Sequence, residues 1–326
     1  GFNTANITAY GGTGYRNGGA GTVYLKDTVQ GVENIVFDNN GKSGNDTTIT
    51  VTGKTFESLK ANGGSIKLVG NLTVTGTLTV DNTGILTADE NIQSGSIAIN
   101  NSGTLSVGQG IQTGSIVIKN SGTLTHHSTN TMNEYKLEVT TNTLSIDSTS
   151  KIDVSGKGYL GGYSGGNNST KGRALGNVDG SDNNSGGSYG GLGGIGSTNV
   201  SPNAVYGDFT NPNELGSGGG GNSGYPGGNG GGLVRITADS IQLDGEIKGN
   251  GSDSFASGGG SGGGIYINAN SLSGAGKVTV NGGVRQHDAY GGAGGGGGRI
   301  AVYYSDISGF NTANITAYGG TGYRNG

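Results

Sequence analysis

The residues best suited to hold a metal ion lie in one short acidic stretch. Asp179, Asp182 and Asn184 occur close together in the sequence Asp-Gly-Ser-Asp-Asn-Asn. Carboxylate and amide oxygens are the ligands that Ca²⁺ prefers, so the stretch predicts a calcium site, and calcium is the one cofactor that the sequence suggests. The stretch lacks the glutamate that closes an EF-hand loop. An Asx turn capped by its own side chains is therefore the competing interpretation.

Residue patterns for catalysis are sparse. The chain has three histidines, and the adjacent pair His126 and His127 would point to opposite faces of a strand. Gly-x-Ser-x-Gly occurs at 162–166, 186–190 and 259–263, which a chain with 75 glycines produces by accident. No helix is predicted, so none of these serines has the strand-to-helix turn of a nucleophile elbow. We therefore do not expect an enzyme.

The composition narrows the class of protein further. With no cysteine the chain has neither a disulfide scaffold nor a thiolate metal site. Charged residues make up 12% and the net charge is −4, so nothing points to nucleic acid. No stretch approaches the roughly 20 apolar residues of a membrane-spanning helix. The absence of cysteine is typical of large surface proteins that cross membranes unfolded.

The end of the chain repeats its beginning. Residues 309–326 and 1–18 both read GFNTANITAYGGTGYRNG, so the sequence has a period of 309 − 1 = 308 residues. Such repetition is typical of tandem-repeat proteins and fibres, and we expect the chain to be a segment of a longer one. Both copies are expected to take one conformation at the repeat junction, which we assign to three pairs of identical residues: Gly1 and Gly309, Ile7 and Ile315, and Tyr10 and Tyr318.

A shorter repeat lies in the strand-rich part of the chain, residues 22–155. Units begin at Gly76, Gly95 and Gly114, at equal intervals of 95 − 76 = 19 and 114 − 95 = 19 positions. Each unit contains two strand patterns separated by an Asn-Thr-Gly or Asn-Ser-Gly turn. One such unit must stack on a neighbour to satisfy its backbone groups. The aliphatic positions expected to face inward are Ile97, Ile99, Leu105, Val107, Ile116, Ile118 and Leu124. The pattern resembles the 19-residue repeats of filamentous-haemagglutinin-type adhesins, which implies β-solenoid coils.

Glycine runs separate the strands from residue 156 onward. Strand patterns that begin near Leu233, Ile265 and Arg299 each follow such a run, at intervals of 265 − 233 = 32 and 299 − 265 = 34 positions. One interpretation is a flexible linker. The other is a packed set of polyproline-II-like helices, in which glycine permits close approach. These runs resemble the glycine-rich domains of some bacterial surface repeat proteins and of certain receptor ectodomains. The whole period resembles a family of giant bacterial surface repeats, which implies an extracellular or cell-surface location.

These observations predict an all-β fold, a β-solenoid with glycine-rich, polyproline-II-like lateral insertions. The expected parts are the start of a repeat (1–21), a solenoid of 19-residue coils (22–155), coils with glycine-rich insertions (156–308) and the start of the next repeat (309–326). The expected function is a structural repeat of an extracellular fibre or adhesin stalk that assembles end to end with identical repeats. A carbohydrate- or ice-binding surface module is the alternative, with surface glycans as further partners and no membrane insertion. About ten coils at roughly 4.8 Å each predict an axial repeat of about 50 Å.

Overall fold

The computed structural model describes residues 6–197, 199–222, 224–287 and 291–326. These residues form an all-β protein with parallel sheets, as predicted, and contain no α-helix. Short 3-10 turns occur at Leu175–Asn177 and Thr312–Asn314. Within the described ranges, no helix has the length and apolar character needed to cross a lipid bilayer.

Twenty-two strands make up the regular structure of the described residues. They are β1 (Thr22–Lys26), β2 (Glu33–Asp38), β3 (Asp46–Thr50), β4 (Thr55–Phe56), β5 (Ser58–Asn62), β6 (Ser65–Val69), β7 (Leu72–Asp81), β8 (Ile85–Ala88), β9 (Ile92–Ile99), β10 (Thr104–Val107), β11 (Gly110–Ile118), β12 (Thr123–His126), β13 (Leu137–Ile146), β14 (Lys151–Asp153), β15 (Arg173–Ala174), β16 (Val178–Asp179), β17 (Leu233–Leu243), β18 (Glu246–Lys248), β19 (Gly264–Ser273), β20 (Lys277–Thr279), β21 (Arg299–Asp306) and β22 (Ile315–Thr316).

The chain divides into two compact units. Unit 1 comprises residues 1–125, 139–152 and 238–245, and unit 2 comprises 126–138, 153–237 and 246–326. Strands β13 and β17 each begin in unit 2 and end in unit 1. The observed division therefore runs through strands, whereas the expected boundary lay between residues 155 and 156.

Unit 1 contains two runs of stacked strands, and one step length recurs in both of them. One follows the order β2-β5-β7-β9-β11, with the antiparallel strand β1 beside β2, and the other follows β3-β6-β8-β10-β12-β14. Ile116 lies beside Ile97, and Ile97 lies beside Leu78, in parallel pairs. Leu105 lies beside Leu86 in the other run. Each of these steps spans the same interval, 116 − 97 = 97 − 78 = 105 − 86 = 19 positions, which confirms the spacing predicted from the sequence.

The stacked aliphatic side chains form the core of unit 1. All seven positions predicted to face inward are 0–1% exposed: Ile97, Ile99, Leu105, Val107, Ile116, Ile118 and Leu124. Along each strand buried and more exposed residues alternate, because successive side chains point to opposite faces. Burying aliphatic side chains contributes roughly 1.5–3 kcal/mol each, so these columns are the main source of stability in this unit.

Asparagine turns connect the two runs of strands. Asn101 and Ser102 have φ angles of 48° and 62°, and the same conformation recurs one coil later at Asn120 and Ser121. Asparagine tolerates this left-handed region better than most residues. The side-chain amide of Asn120 also donates to the amide oxygen of Asn101, at 3.1 Å. The predicted Asn-Ser-Gly turns are therefore confirmed and are themselves joined from one coil to the next.

Unit 2 has longer steps between its stacked strands. Its runs are β19-β21 and β18-β20-β22, all parallel. Ile265 lies beside Ile300 and Ile247 beside Val278, so these steps span 300 − 265 = 35 and 278 − 247 = 31 positions. The additional residues in each step include the glycine tracts, most of whose residues are buried.

Hydrogen bonds within the glycine tracts repeat every three residues. In the tract 258–264, backbone N–H groups three residues apart donate to the same neighbouring tract, with N···O distances of 2.7–3.0 Å. Gly258 and Ser261 donate to Gly220 and Ser217, Gly259 and Gly262 donate to Ala293 and Gly296, and Gly260 and Gly263 donate to Ser252 and Gly249. Three residues per turn is the period of a polyproline II helix. Buried tracts that bond laterally in a fixed register are not flexible linkers, so the linker interpretation is wrong for this tract.

Candidate assembly site

The two copies of the repeated sequence share two local features, although Ile315–Thr316 is a strand and the equivalent residues 7–8 are not. The N–H of Gly18 donates to the carbonyl of Gly12 at 2.9 Å, and the N–H of Gly326 donates to the carbonyl of Gly320 at 3.0 Å. These bonds join identical positions, since 18 and 326 differ by 308. A bend follows the same register in each copy, at 14–16 and 322–324. Gly1 lies outside the described residues.

The first copy bonds to the residues that follow it in the chain. Asn39 accepts a hydrogen bond from the N–H of Gly11 at 2.8 Å and donates to the carbonyl of Gly18 at 3.1 Å. The carbonyl of Ala9 accepts from Gly21, and that of Asn17 accepts from Asn45. We call these bonding positions, Ala9, Gly11, Asn17 and Gly18, the leading face of the segment.

The second copy bonds to the residues that precede it. Tyr318 donates its N–H to the amide oxygen of Asn281 and accepts at its carbonyl from Gly282, both at 2.8 Å. The N–H of Gly320 donates to Gly295 at 2.7 Å. The other backbone bonds are Val280 to Thr316, Arg285 to Thr321, Tyr323 to Gly292 and Gly294 to Arg324. We call the bonding positions of this copy, Thr316, Tyr318, Gly320, Thr321, Tyr323 and Arg324, its trailing face.

The leading and trailing faces use different atoms of the same sequence. Among the hydrogen bonds of the described residues, no backbone atom that the first copy bonds to its neighbours is also used at the equivalent position of the second. Solvent exposure follows the same division. Gly320 is buried whereas Gly12 is exposed, and Gly18 is partly covered whereas Gly326 is exposed. The segment therefore has separate bonding atoms for the two sets of partners.

The predicted junction residues differ between the two copies, being largely exposed in the first and bonded to neighbouring residues in the second. In the first copy, Ile7 is 40% and Tyr10 is 47% exposed. In the second, Ile315 pairs with Val278 in the parallel pair β20–β22. Gly309 accepts from the N–H of Gly274 at 3.0 Å. Sequence reasoning did not identify Asn39 and Asn281, which bind the two faces. Their one signal in the sequence is that glycine follows each asparagine within two residues.

Asn39→Ala is expected to loosen the first copy. Asn39 is 2% exposed, and besides its bonds to Gly11 and Gly18 its amide donates to the carbonyl of Lys42. Loss of a buried hydrogen-bonding side chain costs about 1–3 kcal/mol. The Gly11 amide should therefore exchange with solvent roughly tenfold faster or more, as measured by hydrogen exchange with NMR. Lys42→Ala, which removes an exposed side chain, serves as the control. Unchanged protection of Gly11 in Asn39→Ala would contradict the assignment.

The three predicted calcium ligands have protein partners in unit 2. Asp179 pairs with Lys171 at 3.4 Å and with Arg173 at 3.1 Å. Asp182 accepts the N–H of the next residue, Asn183, at 2.8 Å, which is one residue short of the bond that defines an Asx turn. The amide oxygen of Asn184 accepts from Asn222 at 2.6 Å. Within the described residues, no group of three or more histidine and acidic side chains is arranged to hold a metal ion. Calcium binding stays a prediction.

His126 is fully buried in unit 2, and both of its ring nitrogens make hydrogen bonds to the backbone. Its Nε2 accepts the N–H of Leu233 at 3.3 Å, and its Nδ1 lies 2.6 Å from the carbonyl of His127. The first contact requires an unprotonated Nε2, so the imidazole is neutral with its proton on Nδ1. Burial lowers the pKa of His126 to about 3, and the nearby charge of Lys157 acts in the same direction.

A small cavity of 190 Å³ lies in unit 2 beside the loop before β13. Its apolar wall is formed by Tyr159, Leu215 and Leu233, which pack together. Glu134 and Glu214 also line it. Burial raises the pKa of the Tyr159 phenol, and the two carboxylates add to this shift. The cavity therefore combines an aromatic wall with two acidic groups.

Comparisons with protein-family models, with curated proteins and with solved structures found no match. What the described residues show is an all-β chain whose strand pairs are mainly parallel, with one sequence present at both 1–18 and 309–326.

Proposed function

We propose that this chain is a structural repeat of an extracellular fibre or adhesin stalk, built as a β-solenoid with polyproline-II-like glycine insertions. The 19-residue register, the turns that join the two runs of strands and the three-residue hydrogen-bond period of the glycine tracts support this architecture. The extracellular location is supported by the composition, which has no cysteine, and by the resemblance to surface repeat proteins.

The observation that carries the proposal is the division of the repeated segment into two faces. If each period folded as a separate particle, the repeated segment would need hydrogen-bonding partners from its own period only. Here the first copy uses the leading face and the second copy uses the trailing face. In a continuous array each segment satisfies both faces, so the preceding and the following repeat are joined through it. Strand edges left open at the ends of a sheet favour the same continuation.

The alternative, a carbohydrate- or ice-binding module, has less support. The 19-residue units carry Thr and Ser pairs that could form a flat ice-binding array: Thr77 and Thr79, Thr104 and Ser106, and Thr123 and Thr125. These pairs are divided between two runs of strands, because the first lies on β7 whereas the others lie on β10 and β12. Tyrosines in the glycine tracts could stack on sugars, and of these Tyr159 and Tyr189 are buried whereas Tyr163 is 45% exposed. Tyr290 lies outside the described residues.

Chains of two or more joined periods provide the test. We expect electron microscopy to show rods that lengthen by about 50 Å with each added period, because about ten coils advance by roughly 4.8 Å each. Particles joined by flexible connections, with no constant increment in length, would contradict the fibre function. A constant increment of a clearly different size would contradict stacking of all coils on one axis.

A further inference from the structure

Asparagine followed by glycine is the dipeptide most prone to lose its side-chain amide. The glycine nitrogen attacks the Cγ atom of the asparagine, and a glycine has no side chain that would hinder the approach. A pair reacts only while the asparagine side chain and the glycine N–H are both free to move, so its hydrogen bonds decide its reactivity. The chain contains seven such pairs, which begin at Asn17, Asn40, Asn62, Asn229, Asn250, Asn281 and Asn325.

Six of the seven pairs are held at both groups. Asn281 accepts the N–H of Tyr318 at its amide oxygen, while the N–H of Gly282 donates to the carbonyl of Tyr318, both at 2.8 Å. Asn250 and the glycine after it are bonded to Asn281 in the same way. The other four pairs bond through the asparagine side chain to Ser43, Asn82, Gly161 and Gly322, and through the glycine N–H to Gly12, Asp81, Tyr159 and Gly320. Each of these pairs must lose two hydrogen bonds before it can react.

The pair Asn40–Gly41 is held at neither group. Among the hydrogen bonds of the described residues, none involves the side chain of Asn40 or the N–H of Gly41. Both residues are exposed. Their φ angles are 52° and 68°, and they form a two-residue turn that the N–H of Lys42 closes by donating to the carbonyl of Asn39 at 3.0 Å. Ring closure requires rotation between Asn40 and Gly41, which this one bond opposes.

The free N–H of Gly41 is determined by the coil that follows it. In a later coil the N–H of Thr83 donates onward to the carbonyl of Asn101 at 2.9 Å. The turn that follows Gly41 in the stack is 62–64, which lies within the described residues and accepts no hydrogen bond from Gly41. The missing partner is therefore not one that a preceding repeat would supply.

We propose that Asn40 is a site of spontaneous deamidation, and that it is the reactive one among the seven Asn-Gly pairs of the folded chain. The nitrogen of Gly41 forms a bond to Cγ of Asn40, the amide nitrogen leaves as ammonia, and a five-membered imide results. Water then opens the imide at either carbonyl and leaves aspartate or isoaspartate at position 40. The net charge changes from −4 to −4 − 1 = −5, and isoaspartate adds a methylene group to the main chain between β2 and β3.

The test compares the folded chain with the urea-unfolded chain at mildly alkaline pH, with each pair followed by peptide mapping and mass spectrometry. In urea all seven pairs should react at similar rates. In the folded chain Asn40 should stay within about fivefold of its unfolded rate, because one turn bond of about 1 kcal/mol opposes the reaction. The six held pairs should be slowed roughly 10- to 100-fold, because two bonds must break. Asn40→Gln is the matched control: it keeps an amide in the turn but would need a six-membered ring, so position 40 should stay unmodified.

Two results in the single chain would overturn the proposal: a folded-state rate at Asn40 as low as that of the held pairs, or a faster reaction at any of the other six. Two joined periods extend the test, because a complete repeat then precedes the second copy of this turn. The asparagine equivalent to Asn40 in the second period should react as fast as Asn40 itself. Protection there would show that a preceding repeat covers the site, and would overturn the proposal for a continuous chain. None of these outcomes alters the length of the rods expected above, so the fibre function is tested separately.

Discussion

Gly262→Ala is expected to destabilise unit 2 by more than about 3 kcal/mol, because its Cβ has no space. The added atom would overlap the carbonyl oxygen of Val280 and come 2.6 Å from the nitrogen of Gly298. Both groups belong to backbone hydrogen bonds: Gly298 donates to Val280 at 2.8 Å, and Gly262 itself donates to Gly296 at 2.9 Å. Relieving the overlap separates the tracts and leaves buried backbone groups unpaired, each at a cost of about 1–3 kcal/mol. Overpacking adds about 1–3 kcal/mol more.

The measurement is urea-induced unfolding followed by circular dichroism. Gly12→Ala is the matched control, because it makes the same chemical change where a Cβ meets nothing within 4 Å. That variant should stay within about 1 kcal/mol of the wild type, since the smaller entropy of the unfolded chain is then the main effect. Equal stabilities for the two variants would show that the glycine tracts do not pack as closely as described.

The 19-residue coils could be predicted because the types of side chain repeat with the same period as the coils. Alternating aliphatic residues fix which positions face inward, and Ile97 and Ile116 are buried where the pattern placed them. The Asn-Ser-Gly turns recur in the same register, because a left-handed backbone restricts which residues can occupy it. Both signals are local, so a single sequence is sufficient to read them.

The glycine tracts leave no comparable record. Glycine has no side chain, so the sequence of a tract does not show which of the three neighbouring tracts each of its residues faces. The three-residue period of 258–264 therefore becomes visible only through its hydrogen bonds. The neighbours themselves come from distant parts of the chain, such as 217–220 and 293–296. The sequence could establish that close approach is permitted and that the tracts recur in register, but not which tracts meet.

The candidate assembly site was half predictable for a related reason. The recurrence of segment 1–18 at 309–326 identified the site, since identity needs no structural knowledge. The partners Asn39 and Asn281 are single polar residues in a chain rich in asparagine, and their role depends on contacts 28 and 37 residues away. The division into two faces is a property of the folded chain, because it concerns which backbone atoms of one sequence are bonded in each copy.

Stability is expected to fall as the pH drops below 6.5, because of His126. The unfolded chain binds a proton at this histidine near pH 6.5, whereas burial lowers the folded-state pKa to about 3. Between these values the unfolded state holds the extra proton. The stabilising contribution is therefore complete above pH 6.5 and is lost progressively toward pH 3, by roughly 5 kcal/mol in all. Protonation of Nε2 would place a donor against the N–H of Leu233, and Lys157 lies close by with its ammonium on the carbonyl of His126.

Urea unfolding between pH 8 and pH 5 tests this expectation before most carboxylates begin to titrate. The wild type should lose up to about 1.4 kcal/mol per pH unit below pH 6.5, and His126→Gln should lose less. His287→Gln, which removes an exposed histidine, should follow the wild type. A second measurement does not depend on the folding of a variant: the NMR signals of His126 in the wild type should stay those of a neutral imidazole throughout this range. If His126 titrated near pH 6.5 in the folded chain, the assigned hydrogen bond would be wrong, because a protonated Nε2 cannot accept the N–H of Leu233.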